Sequence, residues 1–83
     1  MTRADSAEKD RILESAGFFY DFNKDIYLNR ESKKVFSVEA ITDNPVEWLR
    51  TRIMERNDTE DWIFYFNQPP DPDVRQEIIE GIR

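Results

Sequence analysis

The sequence contains no cysteine and no histidine, only two glycines, and no apolar run approaching the ~18 residues of a membrane span. Without cysteine there is no disulfide, no thiolate nucleophile and no soft metal ligand; without histidine the commonest general base near neutral pH is missing. Ser-His-Asp and Cys-His constellations and typical zinc sites are therefore excluded within the chain, and no cofactor or metal is expected. The segment Met1–Asp10 mixes charges and holds no apolar stretch, so it reads as neither an export signal nor a membrane anchor. A soluble, cytoplasmic protein is the expectation. On that expectation the glycosylation sequon Asn57-Asp58-Thr59 carries no weight.

What is present is acidity and aromatic bulk. The formal net charge is -6, and because residues 1–38 are balanced the whole excess lies in the later segment. A negative field disfavours nucleic acid and anionic lipid as partners. Aromatic residues make up 13% of the chain, and each ring buries on the order of 150–250 Å². At 83 residues the chain reads as one domain, residues 1–83, which buries only about 60–65% of the surface its unfolded form exposes. Self-association is the available source of extra stability.

The period of the apolar residues organises the chain as α-β-β-β-α-β-α. Residues 1–5 have no apolar anchor and read as a frayed end, after which Ser6 can cap a short helix with Lys9, Ile12, Leu13 and Ala16 on one side and Gly17 at its end. From Phe18 to Ile41 the period is two: Phe18, Tyr20 and Phe22 alternate with Phe19 and Asp21; Ile26 and Leu28 with Tyr27 and Asn29; and Phe36, Val38 and Ala40 with Ser37 and Glu39. Polar interruptions at Asn23–Asp25 and Asn29–Lys33 divide this stretch into a three-stranded antiparallel meander, although the first lacks glycine and also reads as a bend within one strand. Asp43-Asn44-Pro45 opens a second helix, with the asparagine as cap and the proline at its first position, running to about Arg56. Trp62–Phe66 is an aromatic strand, and Asp71-Pro72 opens a last helix with Val74, Ile78 and Ile82 in one stripe. The expected fold is α+β, a mostly antiparallel sheet with helices packed on one face.

Two features of this pattern point to a partner. In the second helix Val46, Leu49 and Ile53 cluster, while Trp48 falls opposite them beside Arg52, four residues on, where the guanidinium can lie over the indole. Tryptophan and arginine are enriched at binding hot spots, although a loop folded over Trp48 would also account for it. The strand Trp62–Phe66 is apolar on both faces, which a sheet covered on one side does not accommodate; either a subunit interface or the first helix must cover the second face. Trp48, Arg52, Ile63 and Tyr65 are therefore the candidate protein interface.

Other constellations have plainer explanations. Arg30, Lys33 and Lys34 near exposed aromatics could hold phosphates, but a basic triplet at a hairpin tip is more often a solvated turn. Asp58, Glu60 and Asp61 lack the spacing and glycine of a calcium loop. Pro69-Pro70-Asp71-Pro72 stiffens and caps the last helix. The function expected is that of a small non-catalytic accessory or regulatory protein acting through protein–protein interaction, as a homodimer. The alternative is a small-molecule-binding or enzymatic domain with an aromatic pocket between sheet and helices, lined by Tyr20, Tyr27 or Tyr65.

Overall fold

Helix α1 (Arg3–Ser15) follows from the recurrence of Lys9, Ile12, Leu13 and Ala16 at helical spacing, with Leu13 fully buried beneath it. Gly17 ends it at φ +89°, in the left-handed region where a side chain is strained, and the Phe18 amide closes back on the Leu13 carbonyl at 2.9 Å. The computed structural model describes residues 3–82, with side chains from Ala7 onward. The helix begins four residues before the expected start at Ala7, so Ser6 is not its cap and Arg3–Asp5 are helical; Met1 and Thr2 lie outside the described residues. A serine inside a helix costs well under about 1 kcal/mol, so a cap-type residue does not by itself fix where a helix begins.

The meander forms as β1 (Phe19–Asp21), β2 (Ile26–Asn29) and β3 (Lys34–Ser37), each antiparallel to the next. Asn23–Asp25 is a turn and not a bend. Asp21 Oδ1 accepts the amides of Asn23 and Lys24, at 3.0 and 3.3 Å, and Asp25 takes φ +56° where a glycine would otherwise be needed. The second turn repeats the device: Asn29 Oδ1 accepts the amides of Glu31 and Ser32, and Lys33 takes φ +57°.

The third strand stops at Ser37. Val38 and Ala40, expected to continue its alternation, belong to a short helix α2 (Val38–Asp43), because the Ser37 hydroxyl accepts the Ala40 amide at 3.1 Å and caps a helix in place of extending the strand. Asn44 closes α2 and does not open the next helix: its side-chain amide donates to the Ala40 carbonyl at 2.7 Å. Pro45 is then the N-cap residue of α3 (Val46–Met54), extended at ψ 162° and with no side-chain cap. Helix α3 ends at Met54, short of Arg56, where the Lys34 ammonium takes its terminal carbonyls. Strand β4 (Ile63–Tyr65) is shorter than the expected Trp62–Phe66 and pairs parallel with β3; helix α4 (Pro72–Ile82) follows.

The result is an α+β domain with a four-stranded sheet in the order β1-β2-β3-β4, antiparallel except for its last pair. The helices, expected on one face, lie on both. Adjacent residues of β3 point to opposite faces, and both Val35 and Phe36 are fully buried. Phe36 packs with Leu13, Phe18, Ile41 and Leu49 under α1, α2 and α3, whereas Val35 packs with Ile26, Leu28, Ile78 and Ile82 under α4. The second face of β4 is thus covered within the chain by α4 and not by α1: Phe64, Phe66 and neighbouring Trp62 pack against the α4 cluster, and Tyr65 against the other. That cover removes one ground on which a dimer was expected, the two apolar faces of the strand, and leaves the other, the shortness of the chain, as it was. Among the described residues no helix is long and apolar enough to cross a membrane.

Candidate protein-contact surfaces

Helix α3 and strand β4 bring Trp48, Arg52 and Tyr65 together. Tyr65 stacks on Phe36 with ring centroids 4.6 Å apart, and Trp48 stands edge-on to both, 5.9 Å from Phe36 and 6.5 Å from Tyr65. The Arg52 guanidinium lies 6.0 Å from the indole centre and pairs with Glu55 at 2.9 Å. Ile63 sits on the same sheet face as Tyr65, opposite Lys34 in the register. All four side chains are half-buried. Trp48 is thus the outer wall of the core, touching Phe36 with one edge while its other side remains accessible.

Beneath this group Lys34 is buried, and its ammonium donates to the carbonyls of Arg52, Ile53 and Glu55. Burial pushes its pKa below the usual lysine range, opposed by the charge of Glu55. The Tyr65 hydroxyl is pushed up, first by burial and then by Glu55. The rest of the basic triplet is also engaged: Arg30 donates to the Ile82 carbonyl at 2.9 Å and Lys33 to that of Glu60 at 2.9 Å. Asp58, Glu60 and Asp61 are exposed on the connector before β4.

Two of the three tyrosine hydroxyls are held by carboxylates. Tyr27 donates to Asp10 Oδ1 at 2.6 Å, Tyr20 donates to Asp25 Oδ1 at 2.8 Å, and the two rings lie 5.1 Å apart. Both hydroxyls titrate above the ordinary tyrosine range: Tyr27 through burial and then its bond to Asp10, Tyr20 through its bond to Asp25. Five clefts on the described surface have no tyrosine in their walls. The most apolar, about 540 Å³, runs between α1 and α3 over Ile12, Ala16, Ile53 and Met54.

The largest exposed aromatics are elsewhere, on β1 and the turn that follows. Phe19 is 66% exposed, Phe22 76% and Tyr20 48%. Strand β1 is an outer strand of the sheet, paired only with β2. Its first two residues, Phe19 and Tyr20, are exposed, and Asp21 is half-buried. No protein family, curated protein or solved structure matches this chain. The reading of the surface therefore rests on its chemistry.

Sequence reasoning placed Phe18–Phe22 in a strand and passed over it as a surface. The available signal was the one that singled out Trp62–Phe66: apolar residues at both parities, Phe18, Tyr20 and Phe22 on one and Phe19 on the other. An outer strand with that pattern leaves in water the rings of any face that is not covered.

Proposed function

We propose that this domain is a non-catalytic protein-binding module and that β1 with its following turn is the docking element. The observation that supports this is the exposure of Phe19, 66%, on an outer strand of the sheet and of Phe22, 76%, in the turn after it. Exposed aromatic rings cost solvation free energy that a partner recovers, and a free edge offers backbone hydrogen bonds that give an incoming strand its direction. Trp48 and Arg52 form a second, shallower contact surface about the end of α3.

The test is a comparison of captured partners. The parent and a Phe19→Ser, Phe22→Ser variant are each immobilised and exposed to an extract of the native host. The proposal expects proteins held by the parent and released by the variant, with the circular dichroism and denaturant midpoint of the variant close to those of the parent. The same set retained by both would mean that β1 is not the docking element.

A further inference from the structure

Resting on that reading of β1, we infer that its partner is an extended segment of another protein, apolar and cationic in alternation, which adds to the sheet as a fifth strand. Phe19 and Tyr20 point to opposite faces of the strand, so a chain laid along the edge meets an aromatic ring on either side. The rim of this edge is acidic. Asp10 and Asp25 hold the hydroxyls of Tyr27 and Tyr20, Glu14 adds to the negative field at Tyr27, and Asp21 stands within β1 itself. The cation of the turn, Lys24, already pairs with Asp21 at 3.8 Å. Side chains of an incoming strand that fall beside these carboxylates are favoured when they carry positive charge.

The same charges argue against a second copy at this edge. Antiparallel pairing of β1 with itself about Tyr20 would set Asp21 of each chain opposite Phe19 of the other and bring the two acidic rims together. The two Asp21 residues would then be diagonal neighbours on one face, and a charged residue on a short edge strand is a recognised block to self-pairing. A cationic partner converts that block into attraction.

Three fluorescein-labelled nonapeptides provide the probe: valine alternating with lysine, with serine and with glutamate. Binding is followed by anisotropy, and its location by amide spectra of the isotope-labelled protein. The lysine peptide is expected to shift the amides of Phe19–Asp21, to bind about tenfold tighter than the serine peptide, and to weaken as salt is raised. A Glu14→Gln, Asp25→Asn variant keeps the fold, since asparagine accepts both the left-handed backbone and the Tyr20 hydroxyl, and should bind the lysine peptide about fivefold more weakly. Equal binding of lysine and serine peptides at β1 would overturn the cationic partner while leaving the docking edge in place. Shifts confined to other elements, or no binding of any peptide, would overturn both. A doubling of molecular mass accompanied by concentration-dependent β1 shifts would assign the edge to a second copy and overturn the inference.

Discussion

Two buried lysines close helix ends through carbonyls, Lys9 joining α1 to α2 and Lys34 joining β3 to α3. Lys9 donates to the Ile41 and Asn44 carbonyls at 2.7 and 2.6 Å, closing α2, and Lys34 does the same at the end of α3. The last carbonyls of a helix lack intrahelical partners and carry its negative dipole end, so an ammonium placed there satisfies acceptors and charge together. Changing Lys34 to methionine keeps the apolar stem but leaves those carbonyls unpartnered. A loss of about 2–3 kcal/mol in folding free energy is expected by denaturant titration. Tyr27 makes a different prediction, in pH. Its hydroxyl titrates above its ordinary value of 10.0 in the folded chain, so the fold holds that proton more tightly than the unfolded chain does. The resulting stability is complete below about pH 10 and is lost as pH rises from there towards the folded value. The lowered pKa of Lys34 acts with the opposite sign below its ordinary 10.5, so the measurement is a difference. Between pH 9 and 11 the parent should lose more stability than Tyr27→Phe, and equal losses would show that neither burial nor the Asp10 bond perturbs the hydroxyl.

At the scale of elements, the sequence is most legible where a single local rule acts. Alternation gave β2 and, of β3, only Phe36 and Ser37; Gly17 gave the end of α1, and the run of Asp71 and Pro72 gave the start of α4. Helix α2 was hidden because its six residues are too few to display a 3.6-residue period, and because Val38 and Ala40 continue the alternation of Phe36. What decides the matter there is one hydroxyl. Ser37→Ala should cost about 1 kcal/mol, the usual loss for a helix cap, and hydrogen exchange should quicken at Ala40 before other core amides. Unchanged stability would mean that packing of Ile41, and not the cap, sets α2. The candidate site follows the same division. The spacing of Trp48 and Arg52 and the parity of Ile63 and Tyr65 are local, and the structure unites them on one face. The exposure of Phe19 and Phe22 is not local, since it depends on which strand lies at the edge.

At the scale of the whole molecule, the apolarity of Trp62–Phe66 on both faces changes meaning once helices lie on either side of the sheet. A strand in a covered sheet needs apolar residues at both parities, as Val35 and Phe36 show in β3, each with no exposed surface. The strand therefore does not demand a second subunit, and the acidic rim of β1 opposes one. Light scattering is expected to give a mass near 10.0 kDa across the micromolar range. Trp48 sharpens the test, because its ring is packed edge-on against Phe36 and Tyr65 and yet remains accessible on its other side. Trp48→Ala should cost about 2–3 kcal/mol of folding free energy, below the roughly 3–5 kcal/mol of a fully buried aromatic, without altering the mass. Measured in a Trp62→Phe background, the Trp48 emission should fall between those of buried and solvated indole. A dimer mass that collapses to the monomer on Trp48→Ala, with stability preserved, would move the principal contact surface from β1 to the end of α3. A monomer mass with lowered stability leaves Trp48 as a wall of the core and β1 as the surface that awaits a partner.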